Sequence, residues 1–362
     1  MKTGIIGLGE VAQLMHLPIL QDMMDKFEVT AVSDISSSLV GFIKDKYRIT
    51  HGFLDARELI EKSDTEVIFI LSPDQYHGDH IEMALRKGKH VFVEKPATLA
   101  SGELEKLINL EKEYPACTVM VGYMRRYAEP FLKAVEILKS APQRTEYLRF
   151  RDIICEGPFF INQTRPVFYP KDLPAERIEE GNKRRQQHLD WALGMEAGQA
   201  ERTAYQMFTG LGCHTFSAVR ELFGLPRKIL SVVSAKGGAH LIVCMEFDGF
   251  LGLYELVNDQ DIVQFDAAIE IFQRSRKMLI KYETPYIRHQ PMTLEVIESS
   301  KTDTQTSLYG PSYRDAFQTE LSYFYNCIMN KEKPKTHLAD AMEDLKLFEE
   351  IIKKMKEQQY DF

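Results

Sequence analysis

The chain reads as two domains of different class: an α/β domain on a doubly wound parallel sheet, then an α+β domain with a large, mainly antiparallel open sheet. Three observations predict this. Short apolar runs alternate with helical spacing from the first residues to about residue 122. Beyond residue 123, strand-like segments follow one another through tight turns instead. At 362 residues the chain also exceeds what one hydrophobic core usually covers.

The first strand leads into Thr3-Gly4-Ile5-Ile6-Gly7-Leu8-Gly9-Glu10-Val11-Ala12. Gly7 permits a tight turn, Gly9 lets a backbone approach a pyrophosphate, and Ala12 keeps helix and strand close. Glu10 and Val11 begin the helix whose N-terminal N–H groups would face the phosphates. Helical spacing runs from Glu10 to Met24, with Pro18 expected to kink or restart it. A second strand, Phe27 to Ser33, ends in Asp34, placed as a carboxylate binding adenosine ribose hydroxyls would be. A carboxylate there repels a 2′-phosphate, and Ile35-Ser36-Ser37-Ser38 offers no arginine to receive one. The reading is a Rossmann domain, 1–122, that binds NAD rather than NADP.

Leu39 to Tyr47 and Phe53 to Glu61 read as further helices, and Glu66 to Leu71 as a strand buried on both faces. A helix from Asp79 to Arg86 stops at Gly88. The strand His90 to Val93, a helix opened by Ser101 and the strand Thr118 to Gly122 complete the domain.

The second domain, 123–362, begins with a helix from Pro130 to Lys139. Strands are expected at 145–155, 228–235, 240–247, 250–257, 264–273 and 276–282, with Lys236 to Ala239 as a hairpin turn. Two helices, Tyr313 to Met329 and Leu338 to Lys356, close the chain. An insertion, 157–206, lacks clear periodicity and reads as either a disordered segment or a functional lid. It carries Trp191, the single tryptophan, whose ring could stack on a sugar or anchor a loop.

Composition narrows the class. The net charge of −8 argues against nucleic acid and acidic membranes, and no apolar run is long enough to span a bilayer. Five cysteines without pairing or ligand spacing point to free thiols in a cytoplasmic protein and to no metal. An antiparallel sheet with one helix-covered face leaves the other to be buried, so a homodimer or homotetramer through that sheet is expected.

Three stretches together resemble the Gfo/Idh/MocA family of NAD(P)-dependent sugar and cyclitol oxidoreductases. They are Gly4 to Gly9, the block Ser72-Pro73-Asp74-Gln75-Tyr76-His77 through Gly88 to Pro96, and Val121-Gly122-Tyr123-Met124-Arg125-Arg126-Tyr127. The last is similar to the inositol dehydrogenase branch. Gly212-Cys213-His214-Thr215-Phe216-Ser217 followed by Glu221-Leu222-Phe223-Gly224, and Tyr282-Glu283-Thr284-Pro285-Tyr286, resemble further family motifs.

The resemblance implies that Lys95 stabilises a developing alkoxide beside the nicotinamide ribose, that Glu94 helps hold that ribose, and that Ser72, Pro73 and His77 lie along the cofactor. His77 reads equally as a helix cap. His214 would be the general base, because imidazole titrates near neutral pH. Met124 and Arg125 would line the substrate cleft, and Arg126 reads equally as an interdomain ion pair. Two departures stand out: the aspartate expected one turn before the histidine is Gly210, and the one three residues after it is Ser217. Asp152 or Glu156 would then supply the missing contact.

The function expected is NAD-dependent oxidation of a secondary hydroxyl of a sugar, glycoside or cyclitol to a ketone, with C3 of a pyranoside favoured because the insertion could enclose a larger ligand. One rival is a redox-neutral enzyme with tightly held NAD. The other is a sensor that binds NAD and sugar without turnover.

Overall fold

The computed structural model describes all residues except 156, 165, 263, 288, 289, 291 and 359–362, together with the side chains of 157 and 164. In chain order the principal elements are β1 (Lys2–Ile6), α1 (Leu17–Asp22), β2 (Glu28–Ser33), α2 (Ser37–Tyr47), β3 (His51–Phe53), α3 (Ala56–Lys62), β4 (Val67–Ile70), α4 (His77–Arg86), β5 (His90–Glu94), α5 (Ser101–Glu113) and β6 (Val119–Gly122). There follow α6 (Glu129–Ser140), β7 (Thr145–Ile154), α7 (Gly157–Thr164), α8 (Ala175–Leu193), α9 (Gln199–Met207), α10 (Cys213–Phe223), β8 (Lys228–Ala235), β9 (His240–Glu246) and β10 (Leu251–Asn258). The last are β11 (Phe265–Gln273), β12 (Arg276–Tyr282), β13 (Met292–Ser299), β14 (Thr304–Ser312), α11 (Ala316–Asn330) and α12 (Leu338–Gln358).

The chain divides into two compact units. The first comprises Met1–Gly122, Arg165–Met195 and Glu320–Leu345; the second comprises Tyr123–Thr164, Glu196–Thr319 and Lys346–Phe362. A single cut after residue 122 therefore differs from the structure, because two later segments return to the first unit.

In the first unit six parallel strands run in the order β3-β2-β1-β4-β5-β6. The order reverses between β1 and β4, which places a ligand crevice at their C-terminal ends. Val67 to Ile70 and Val91 to Val93 are fully buried, as a sheet covered on both faces requires. Pro18 falls in the first turn of α1, where its missing N–H costs nothing, and a wide π turn, Ala12–His16, precedes it. The stretch 53–61 is not one helix: His51–Phe53 is a short edge strand, and α3 starts after Asp55, whose carboxylate caps the Arg57 N–H at 2.7 Å. Three residues are too few to show a period.

Phe324 of α11 explains the return of 320–345. Its ring stacks on Phe27 and meets Phe69 and Phe92 at centroid distances of 5.7–6.2 Å. The insertion returns through charge instead. Arg184 binds the Gln75 carbonyl at 2.6 Å and the Asp79 carboxylate at 2.7 Å, and Arg185 reaches Asp74 at 3.0 Å. The insertion thus differs from a structureless segment: its described residues form α7, α8 and α9. Helix α8 gives no amphipathic signal because it docks through ion pairs rather than an apolar stripe.

In the second unit eight strands run β14-β13-β12-β11-β7-β10-β9-β8, antiparallel except for the β7 and β10 pair. Strands β13 and β14 go beyond the six expected from the sequence; β14 is largely exposed and rich in threonine and serine, so it shows no alternation. One face buries Leu148, Phe150, Tyr254, Leu256, Met278 and Ile280. Phe150, Phe208, Phe216, Tyr254 and Phe348 form an aromatic core beneath it. The opposite face carries a charge ladder, with Arg149 on Glu255 at 2.6 Å and Arg151 on Asp266 and Glu270 at 2.7 and 2.6 Å. No helix among the described residues is long and apolar enough to cross a membrane.

Candidate active site

The residues singled out from the sequence fall into two groups, one in each unit. In the first unit, Gly7 closes the turn after β1 with φ of +89°, and a Cβ there would lie 2.5 Å from the Ser72 nitrogen and 2.6 Å from the Leu71 carbonyl. Only glycine satisfies both the conformation and the approach. At Gly9 a Cβ would meet nothing within 4 Å, so the backbone there is open to a phosphate. The Gly9 carbonyl accepts from the Gln13 N–H at 3.0 Å, so Glu10, Val11 and Ala12 lie in the first helical turn beyond the loop.

Asp34 stands at the end of β2. Its Oδ2 accepts the Leu8 N–H at 2.9 Å and its Oδ1 the Ser36 N–H at 3.1 Å, which ties the carboxylate to the glycine turn. Burial pushes this carboxyl up, against the backbone N–H groups that favour its charge.

Ser72 and Pro73 form the loop after β4. The two ring nitrogens of buried His77, at the start of α4, lie 2.7 Å from the Ser72 and Pro96 carbonyls. His77 therefore braces two loops and turns neither nitrogen to a cofactor. Beside it, burial holds His80 down at about 4.

Glu94 ends β5, and the Lys95–Pro96 peptide that follows is cis. His16, which no sequence motif singles out, brings Nε2 within 2.8 Å of Glu94 Oε1 from a fully buried position against Phe69 and Phe92. Burial would raise the Glu94 carboxyl, but His16 and then Lys95 outweigh it and hold the group below the usual carboxylate range.

Trp191 differs from a sugar platform. It lies on α8 in the first unit, where its indole would be 3.0 Å from a Cβ at Gly102 and the Lys106 ammonium sits 4.7 Å from the ring centroid. Its place is the anchor of α8 on α5.

In the second unit, His214 occupies the first turn of α10 and is 8% exposed. Met124 and Arg125 lie on a short turn, Met124–Tyr127, and both are buried. The Arg125 guanidinium does not line an open cleft. It pairs with Asp152 Oδ1 at 2.5 Å, donates to the Thr215 hydroxyl and lies beneath the Tyr282 ring at 5.0 Å. Tyr254 donates to the other Asp152 oxygen at 2.9 Å. Asp152 is thus engaged on both oxygens inside the unit rather than turned to His214 or a ligand, because a carboxylate with 0% exposure must be paired. Arg126 pairs with Glu221 at 2.6 Å inside this unit. The turn therefore grips α10 at two points around His214. Gly210 lies on the helical approach to α10, where a Cβ would meet nothing within 4 Å. Glu156 lies outside the described residues.

Residues 1–123 match the model of the oxidoreductase family with an NAD-binding Rossmann fold, GFO_IDH_MocA. The first domain belongs to the Gfo/Idh/MocA family. An inositol 2-dehydrogenase from Salmonella typhimurium is 32% identical over 141 residues, 39% of this chain and 42% of the relative. The chain thus spans about two fifths of that curated relative. The myo-inositol 2-dehydrogenase structure from Lactobacillus plantarum superposes with a TM-score of 0.71 at 17% identity, covering 98% of this chain and 97% of that one. A 3-ketoreductase from Actinomadura kijaniata, solved with TDP-benzene and NADP, gives 0.72 at 13% identity, covering 98% and 97%. At such identities the superpositions establish a shared fold along the chain and nothing more.

Proposed function

We propose that this chain is an NAD-dependent dehydrogenase that reversibly oxidises one secondary hydroxyl of a sugar, glycoside or cyclitol to a ketone, with C3 of a pyranoside the first candidate. The observation that carries the cofactor half is Asp34, held by the Leu8 and Ser36 N–H groups beside a Gly7 turn that no side chain could replace. The open backbone at Gly9 fits a pyrophosphate. The names of the Salmonella and Lactobacillus relatives support a cyclitol or sugar hydroxyl as substrate.

Nicotinamide, when bound, supplies the hydride acceptor. The chain's own residues handle charge and protons. Lys95 places an ammonium to steady the oxygen as negative charge develops, and Glu94, fixed by His16, orients the turn that carries it. His214 takes the hydroxyl proton. The Arg125, Asp152 and Thr215 network serves it indirectly by setting the first turn of α10. Incubating the protein with NAD and panels of inositols, sugars and glycosides, followed at about 340 nm, tests the reading. Formation of NADH with a member of one panel supports it; ligand-induced thermal stabilisation without NADH from any panel would favour a sensor.

One observation favours redox-neutral turnover with retained cofactor. Residues 166–174 are pinned around the glycine loop through Gln13, Glu10 and the serines after Asp34. Nucleotide released from freshly purified protein by acid, with turnover in the absence of added NAD, would support that version.

The reading includes a cytoplasmic location, supported by cysteines without a pairing pattern, and a homodimer or homotetramer formed through the open face of the eight-stranded sheet. Light scattering in low and high salt tests the oligomer, since the ladder of Arg149, Arg151, Glu255 and Glu270 on that face would make association salt-sensitive.

A further inference from the structure

Asp34 is not the only carboxylate at the adenosine end of the first unit. The loop after it, Ser36-Ser37-Ser38, opens α2 and presents three hydroxyls and a helix-start N–H. Such a set receives phosphate readily. Here every one of those donors goes to a side chain from 136 residues further along the chain. Asp172 Oδ1 accepts from the Ser36 and Ser38 hydroxyls at 2.5 and 2.6 Å, and Oδ2 accepts from the Ser37 hydroxyl and the Ser38 N–H at 3.0 and 2.9 Å.

The segment that brings Asp172 there is built for the purpose. Pro166, Pro170 and Pro174 keep 166–174 out of helix, and the segment forms no regular element. Buried Gln13 locks it to the glycine loop, donating to the Phe168 and Leu8 carbonyls at 3.1 and 2.9 Å and accepting the Phe168 N–H at 2.8 Å. The Phe168 ring stacks on Phe42 of α2 with centroids 4.6 Å apart, and the Tyr169 hydroxyl reaches Glu10 at 2.8 Å. Asp172 therefore arrives on a strap fixed at three earlier points.

We propose that Asp172 is a specificity-determining residue that fills the anion seat a 2′-phosphate would need, so that two carboxylates, Asp34 and Asp172, admit the free ribose of NAD and exclude NADP. The inference rests on the dinucleotide reading above. The serines that would hold a phosphate hold an internal carboxylate instead. The Ser36 and Ser38 hydroxyls and the Ser38 N–H hold the Asp172 carboxyl well below the usual carboxylate range, which keeps it charged at neutral pH. A cofactor with a 2′-phosphate would have to displace that charge or sit against it. A ribose hydroxyl, by contrast, can donate to a carboxylate.

The experiment is calorimetric titration of NAD, NADP and adenosine 2′,5′-bisphosphate into wild type, Asp172→Asn, Asp172→Glu, and Asp172→Asn combined with Ser37→Ala and Ser38→Ala. Wild type is expected to bind NAD and to bind NADP far more weakly. Asp172→Asn should strengthen NADP and the bisphosphate by about tenfold or more, the scale for removing a unit charge a few ångströms away, with NAD changed little. Asp172→Glu should keep the discrimination, and the serine replacements should cancel the gain, which mere loosening of the strap would not do. If wild type binds NAD and rejects NADP but Asp172→Asn leaves the ratio unchanged, the Asp172 role is overturned and the NAD reading stands. If wild type binds neither dinucleotide, both fall. Should Asp172→Asn fail to fold, NADP rejection lost in the charged Asp172→Glu variant overturns the proposal, and rejection retained there supports it.

Discussion

Arg125 and Asp152 form a fully enclosed ion pair, with Nη1 2.5 Å from Oδ1 and side chains 2% and 0% exposed. The pair joins the Met124–Tyr127 turn to β7 and, through Thr215, to the residue next to His214. Removing one partner of such a pair strands a buried charge, at a cost of about 3–5 kcal/mol. Asp152→Ala should therefore lower the urea midpoint of unfolding severely, whereas a substrate-binding role alone would raise KM and leave the midpoint in place. Replacing both residues together, Arg125→Met with Asp152→Leu, should restore much of the stability.

Lys95 separates charge stabilisation from mere scaffolding. If its ammonium steadies the oxygen, Lys95→Ala should lower kcat by about a hundredfold or more while NAD affinity and the melting temperature stay close to wild type. Turnover at the wild-type rate would remove Lys95 from the chemistry. Lys95→Arg keeps the charge but spreads it over a planar group, so its rate should fall between the two.

These two sites differ in how openly the sequence displays them. Gly7, Asp34 and the Glu94-Lys95-Pro96 turn are legible because each sits directly beside the strand end that positions it, and local spacing carries the information. The parallel strands can be read for the same reason, apart from β3, whose three residues show no period. The partners that finish the site cannot be read. His16 meets Glu94 across 78 residues, Gln13 meets Phe168 across 155 and Asp172 meets Ser36 across 136. Nothing in a one-dimensional pattern records a pairing that the tertiary fold creates. Arg125 and Asp152 show a further limit, because a charged residue beside a motif reads as site lining until its burial is known.

The His16 and Glu94 contact predicts an acid-side stability change. Glu94 has a folded-state pKa below its unfolded value, so its contribution is present above about 4.3 and is lost as the pH falls through the lower folded value. His16→Leu removes the group that most favours the charged carboxylate. The variant should lose on the order of 1–3 kcal/mol at neutral pH, and the difference from wild type should shrink as the pH falls through the lowered folded value and Glu94 takes up its proton. A loss that is the same at both ends of this range would mean that His16 acts only by filling space between Phe69 and Phe92.

Glu103 predicts the opposite slope. It lies on α5 with its carboxylate against the backbone at Gly78 and 3.3 Å from His188 of α8, and burial raises it to about 7. Burial also lowers His188, so this imidazole is a poor counter-charge, while Arg184 and Lys106 favour the carboxylate and Asp79 opposes it. A folded-state value above the unfolded one means that the stabilisation is complete below about 4.3 and is lost as the pH rises through about 7. Glu103→Gln makes the position permanently neutral. Its stability should match wild type near pH of about 3.5, below the unfolded value, and exceed it by about 1–3 kcal/mol near pH of about 8, read from denaturant midpoints in matched buffers. Because α8 follows directly from the strap that carries Asp172, hydrogen exchange of residues 166–193 should also slow in Glu103→Gln at the higher pH. Equal protection factors at both pH values in wild type, after division by the intrinsic exchange rates, would show that the Glu103 proton does not govern how α8 is held.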